Sequence, residues 1–204
     1  GAGVDVNGDT WIADTGNNRV LTINAAGSIT NTISSVAGKN LSKPGAISIA
    51  GGSVYVSDTN NDRVLRYTLK DTPPPSSGPT YEDTLYGYAP ADMYPVDVTS
   101  TASHYYVVDP GRYSIFGVNR ATSKIDYSVG GTRGSGENEL AAARALAADG
   151  NGRIWVADTP NNRIVRYDSN LTNPKIIGSK GTGNGQFTAI IQPSEATRLL
   201  SLET

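Results

Sequence analysis

Residues 14–21 read "DTGNNRVL", and the phrase returns as "DTNNDRVL" from Asp58 and "DTPNNRIV" from Asp158. A looser copy, "DPGRYSIF", begins at Asp109. The four aspartates stand 44, 51 and 49 residues apart. Internal repetition decides architecture before any single element does, and a period in this range suits a helical pair or a four-stranded sheet. The flanking residues select the sheet.

Each Asp closes a short β-prone stretch: "TWIAD", "VYVSD", "YYVVD" and "IWVAD". Three residues before it stands an aromatic (Trp11, Tyr55, Tyr106, Trp155), and one residue before it a smaller side chain (Ala13, Ser57, Val108, Ala157). On a strand these two positions share a face. The other face carries Ile12, Val56, Val107 and Val156. A strand apolar on both faces must be covered on both.

Upstream of these stretches lie "GVDV", "GAISIA", "YPVDV" and "ALAAD". Three connect to them through Asn7-Gly8, Gly51-Gly52 and Asn151-Gly152, which predict two-residue hairpin turns. Third strands follow in "RVLTIN", "RVLRYTL", "YSIFGVN" and "RIVRYD", and fourth strands in "SITNTI", "YEDTLYG", "KIDYSVG" and "NPKIIG". Four antiparallel strands repeated four times predict an all-β chain of four β-propeller blades. One domain over residues 1–204 is expected, with units at about 1–37, 38–90, 91–141 and 142–187. Residues 188–204 form a tail, either a partial fifth unit or a closing strand.

The repeated phrase falls in the turn between second and third strands. Asp and Asn side chains hold turns by bonding nearby backbone amides. Arg19, Arg63 and Arg163 are placed to pair with a carboxylate of their own or an adjacent unit. Asp14, Asn17, Arg19, Asp58, Asn61, Arg63, Asp109, Asp158, Asn161 and Arg163 are accordingly expected to be structural, with ligand binding as the alternative.

These residues resemble the NHL repeat, most fully in "KPGAISIAGGSVYVSDTNNDRVLRY" and "ALAADGNGRIWVADTPNNRIVRYD". The connector "GSKGTGNGQF" is similar to the glycine-rich link between blades of that family. The resemblance covers about residues 3–187 and implies NHL-type four-stranded antiparallel blades. The unit at Asp109 departs from it: Pro110-Gly111 replaces Thr-x, Ser114 stands where Arg is expected, and Arg112 is displaced by two positions. NHL propellers most often close with six blades. Four units therefore imply a compact ring, or part of a larger propeller, or an assembly completed by another chain. Unpaired strand edges invite such pairing and favour the last two.

Composition narrows function. Seventeen Lys+Arg against 19 Asp+Glu leave a net charge of −2. The basic residues Arg133, Arg144, Lys175, Lys180 and Arg198 are too scattered for a nucleic-acid footprint. With no cysteine there is no disulfide, thiolate metal site or cysteine nucleophile. No apolar run is long enough for a membrane span. A cysteine-free chain rich in Gly, Ser, Thr and Asn fits a secreted or cell-surface protein, and many cytosolic proteins too. The first residue is Gly1 and the sole methionine Met93, so a cleaved leader or a longer parent chain is expected. Asn40 and Asn170 have the N-glycosylation pattern.

Seven of 11 tyrosines lie between Tyr81 and Tyr113. Tyrosine favours interfaces, so Tyr81, Tyr86, Tyr88, Tyr94, Arg112 and Tyr113 are the candidate contact for a protein, or for a glycan. The proline run in "DTPPPSSGPT" (71–80) marks a loop or spacer. "DVNGD" (5–9) and "DTNND" (58–62) space oxygens as calcium loops do, but lack the glycine and glutamate of an EF-hand. The only histidine, His104, is expected at a rim or turn. No metal and no cofactor are expected. The leading expectation is a non-enzymatic protein-binding module, with a homo-oligomer or filament as one version. A lyase or lactonase with its site in the central channel is the alternative, and RNA binding a third.

Overall fold

The computed structural model describes residues 1–69, 80–85 and 94–189, the 80–85 segment by its backbone. The expected proline-rich loop, Tyr86, Tyr88 and most of the tail lie outside the described residues. The chain divides into two compact units, Gly1–Val98 and Thr99–Thr204.

In the first unit, blade 1 is an antiparallel sheet of Ala2–Val4, Thr10–Asp14, Arg19–Ile23 and Ile29–Ile33, paired in chain order. Blade 2 repeats the meander with Pro44–Ala50, Ser53–Asp58, Arg63–Thr68 and Thr80–Leu85. Trp11, Val20, Val36, Leu41, Val54, Val56, Leu65 and Tyr67 form one core cluster joining the two sheets. The Trp11 and Tyr67 rings lie 5.7 Å apart in a tilted arrangement. Ile12, on the opposite face, is only half-buried.

Blade 3 comprises Asp97–Ser100, whose residues span the unit boundary, then His104–Asp109, Ser114–Asn119 and Ile125–Gly130. Blade 4 comprises Ala145–Ala148, Ile154–Asp158, Arg163–Tyr167 and Lys175–Ile177. Trp155 packs in a cluster with Ala145, Ala157 and Ile164, to which Ile177 and Phe187 add cover. The aromatics three residues before each Asp are thus interior in all four blades: Trp11, Tyr55, Tyr106 and Trp155 are buried. At roughly 25 cal/mol per Å² of apolar surface removed from water, these rings anchor the sheets.

One expectation is corrected. Gly51 and Gly52 both have positive φ (52° and 73°) and join Ala50 to its partner Ser53, a two-residue turn of the mirror-image kind that glycine permits. Asn7-Gly8 and Asn151-Gly152 do not behave so. There the Asp5 and Asp149 carbonyls accept from Gly8 and Gly152, while Asp5 and Asp149 amides donate to Asp9 and Arg153. Only the glycine is left-handed, giving a three-residue loop with a bulge. The reason is chemical: each Asp carboxylate needs the extra residue to collect its own loop amides.

Candidate functional site

Registration brings the repeated phrase together. Asp14 pairs across the hairpin with Arg19, Asp58 with Arg63, and Asp158 with Arg163. Between them runs a single 3-10 turn, Thr15–Asn17, Thr59–Asn61 or Thr159–Asn161. The turn ends on a left-handed residue, Asn18, Asp62 or Asn162, at φ 53°, 57° and 51°. Asn and Asp tolerate that conformation better than other side chains with a Cβ.

The guanidinium Nε donates to Asp Oδ2 at 2.7 Å (Arg19–Asp14), 2.6 Å (Arg63–Asp58) and 2.8 Å (Arg163–Asp158). The turn Asn adds a second donor: Asn61 and Asn161 each reach the same Oδ2 at 2.7 Å, and Asn17 reaches Asp14 at 3.0 Å. Bonds from Asn17 and then Arg19 hold the Asp14 carboxyl below the usual carboxylate range.

In blades 2 and 4 the set continues into the connector that precedes the blade. Asp58 Oδ1 accepts the Ser42 amide at 2.7 Å, and Asp158 Oδ1 the Ala141 amide at 2.9 Å. Arg63 donates to the Lys39 carbonyl and Asn61 to that of Asn40. Arg163 is seated on the carbonyls of Ser135, Gly136 and Glu139, and Asn161 on that of Gly134. Chemically the phrase is a clamp: a forked cation and an amide read backbone carbonyls, and the carboxylate takes a backbone amide in return. The phrase threonine binds forward, Thr15 Oγ1 to the Pro44 carbonyl at 2.6 Å and Thr59 Oγ1 to that of Pro95 at 2.7 Å. Gly45 follows Pro44 because a Cβ there would press within 3.1–3.2 Å of Thr59, Ser57 and the Val96 carbonyl.

Blade 3 keeps the Asp but not the Asn and Arg of the clamp at their positions. Asp109 is buried and accepts the Arg112 amide at 3.1 Å; Arg112 Nε lies 3.6 Å from its Oδ2. Arg112 occupies the place of the turn Asn and Ser114 that of the Arg. Tyr113 stands at the left-handed position, φ 55°, where the other blades use Asn or Asp. Of the remaining tyrosine candidates, Tyr94 is 44% exposed, and Tyr81 lies in the Thr80–Leu85 strand with its side chain undescribed.

Two features escaped the sequence reading. Asp5 Oδ1 accepts the Asn7 and Asp9 amides and its Oδ2 accepts the Trp11 indole at 3.0 Å. Asp149 does the same for Asn151, Arg153 and the Trp155 indole. Burial pushes the Asp149 pKa up, but bonds from Trp155, Arg153 and the loop amides outweigh it and the net shift is downward. The shared string Asp-x-Asn-Gly-x-x-Trp carried that signal. The other is His104, expected at a rim or turn: it is buried as the first residue of its strand, with Nε2 3.0 Å from Asp126 and Nδ1 2.9 Å from Ser103. Among the described residues, no group of three or more His, Asp or Glu is arranged to hold a metal ion. None of their helices is long and apolar enough to cross a membrane.

The NHL repeat model matches residues 140–167, which contain the second strand, clamp and third strand of blade 4. That segment matches the NHL repeat. The clamps of blades 1 and 2 share its Asp–Arg–Asn geometry, and 85–86% of the chain superposes on the solved β-propellers that follow. Virginiamycin B lyase from Staphylococcus aureus superposes with a TM-score of 0.64 at 20% identity, over 86% of this chain and 54% of that one. U3-55K gives 0.65 at 13% identity over 85% and 49%, and the WD40 repeats of RRP9 give 0.66 at 12% over 86% and 49%. At these identities the likeness shows the fold alone, a β-propeller of four-stranded blades. The chain spans about half the length of each of these structures. No curated protein matches the chain.

Proposed function

We propose that this NHL-type propeller is a non-enzymatic module for protein–protein interaction or assembly, working outside the cell or at its surface. One observation carries the reading: the ionisable groups that the repeat brings together are spent on the fold. Asp58 and Asp158 have no exposed surface, and each distributes both oxygens over an Arg, an Asn and a backbone amide. A carboxylate buried and bonded in this way is withheld from a substrate proton. The candidate contact residues support the reading. Tyr94 is exposed, and Tyr113 holds a left-handed backbone that costs about 1–3 kcal/mol in a residue of this kind. We read strain retained at this half-buried position beside Arg112 as supporting a contact loop. The cysteine-free, glycine-rich composition supports export.

The alternative is a propeller lyase, favoured by the fold likeness to virginiamycin B lyase. A histidine-to-alanine variant of that enzyme, solved with quinupristin, is catalytically inactive. Here the one histidine is tied to Asp126 and Ser103. Incubation with quinupristin, followed by mass spectrometry, should match the buffer blank; first-order loss of the compound would replace our reading with the lyase. Photo-crosslinkers at positions 94 and 113 should each yield one discrete adduct in the native setting, while one at buried position 108 yields none. Adducts from position 108 alone would defeat the contact surface.

A further inference from the structure

Asn-Gly occurs three times in the chain, at Asn7-Gly8, Asn151-Gly152 and Asn184-Gly185. Such a pair can cyclise without an enzyme. The glycine amide nitrogen attacks the asparagine Cγ, a new C–N bond forms and the Cγ–Nδ2 bond breaks. Ammonia leaves, carrying the proton of the attacking amide. Water then opens the five-membered imide at either carbonyl, giving aspartate or isoaspartate. Glycine suits the attack because it has no side chain to shield its nitrogen. The step also needs a glycine N–H free to lose its proton, and here the three sites part.

Gly8 donates to the Asp5 carbonyl at 3.0 Å, and Gly152 to that of Asp149 at 2.9 Å. The flanking amides are taken as well: Asn7 and Asp9 donate to Asp5 Oδ1, Asn151 and Arg153 to Asp149 Oδ1. A carboxylate beside the attacking nitrogen opposes the negative charge it must develop. Exposure does not separate the sites, since Asn151 and Asn184 are both exposed. Gly185 differs in its amide, which makes no hydrogen bond among the described residues. Asn184 and Gly185 form the tip of a turn that the Gln186 amide closes on the Gly183 carbonyl at 3.1 Å.

This freedom belongs to the loop and not to what lies over it. Residues 131–141, "GTRGSGENELA", repeat the local fold of 178–188, "GSKGTGNGQFT", with Asn138 in the place of Gly185. Arg133 bridges Leu140 in parallel as Lys180 bridges Phe187, and Glu139 donates to Gly136 as Gln186 does to Gly183. The first loop is gripped by Asp158, Asn161 and Arg163. Even so, Glu137 and Asn138 are exposed, and the Asn138 amide makes no hydrogen bond among the described residues. A connector of this kind presents its tip even when held.

We infer that Asn184 is a site of spontaneous deamidation, converting in the folded chain while Asn7 and Asn151 are held back. The product adds one negative charge to a chain whose formal net charge is −2. The isoaspartyl form also routes the main chain through the side-chain carbon, inside the turn that sets Lys180 opposite Phe187. Phe187 is the ring that covers the Trp155 cluster.

Peptide mapping by mass spectrometry tests this on the native chain, incubated in mildly alkaline heavy-oxygen water so that each new carboxyl group carries the label. Label should enter at Asn184, in both isomers, at least about tenfold faster than at Asn7 or Asn151, the effect of a pinned amide beside a charge. In concentrated urea the three rates should come together, because the bonds that separate them are gone. Comparable native rates at the three sites, an Asn184 that stays intact while the unfolded chain converts, or a gap that persists in urea would each overturn the inference.

Discussion

Blades 1 and 4 spell nearly the same clamp and spend it differently. Asp158 and Arg163 are sealed beneath a connector; Asp14 and Arg19, at the same hairpin register, are partly exposed among the described residues. An isolated buried charge pair repays its desolvation only when its remaining valences are filled. Blade 4 meets that condition with carbonyls from four connector residues. Blade 1 keeps its charges partly solvated. The sequence motif therefore encodes the hairpin, and what covers the hairpin decides the energy.

Breaking the sealed pairs should give the largest effect. Arg163→Ala leaves Asp158 buried and uncompensated, and Arg63→Ala does the same to Asp58, so each should cost about 3–5 kcal/mol. Each unit holds one tryptophan, Trp11 in the first and Trp155 in the second, so urea melts in single-tryptophan backgrounds report the two units separately. Replacing Trp155 with Ala should cost a similar 3–5 kcal/mol, followed by far-ultraviolet circular dichroism, as large aromatic truncations in cores do. A loss below about 1 kcal/mol would mean that the indole is not a packing anchor.

Blade 4 differs from blade 2 at its first hairpin: Asp149 ties the Trp155 indole, whereas Tyr55 follows the tight glycine turn. Asp149→Asn should cost about 1–3 kcal/mol at neutral pH. The Asp149 pKa is lowered in the folded state, so its contribution is present above the ordinary carboxylate value of about 3.9 and is lost as pH falls through the folded value. Wild type and variant should converge in melts run towards pH 3 and separate again at pH 7; a constant gap would place the effect elsewhere.

Much of this was legible before any coordinates. The second strands Thr10–Asp14 and Ile154–Asp158 were readable to the residue, because an aromatic and a small side chain at spacing two are what a covered strand face requires. The connector grip was not legible. Arg163 reads carbonyls, which every residue owns, so nothing in "GTRGSGENELA" announces an acceptor. The three-residue loops at Asp5 and Asp149 hid for the opposite reason: Asn-Gly promises a shorter turn, and only the indole six residues on explains the longer one. Candidates at Tyr86 and Tyr88 fall outside the described residues.

Blade 3 sharpens the contrast from another side, because it keeps the turn and loses the residue suited to it. Tyr113 holds the left-handed position that Asn18, Asp62 and Asn162 hold elsewhere. Tyr113→Asn should therefore raise stability by about 1 kcal/mol, read as an upward shift of the denaturation midpoint. Crosslinking from neighbouring position 112 should fall in the same variant if the strain serves a contact.

The smallest expected effect is the most discriminating. Arg19→Ala removes the same bond from the same register as Arg163→Ala, yet in dilute solution it should cost less than about 1 kcal/mol, as solvent-exposed pairs do. Salt should shrink that cost further, since screening reaches exposed charges first. A penalty already near that of Arg163→Ala in dilute solution would show blade 1 to be sealed like blade 4, and the distinction between the two blades would fail.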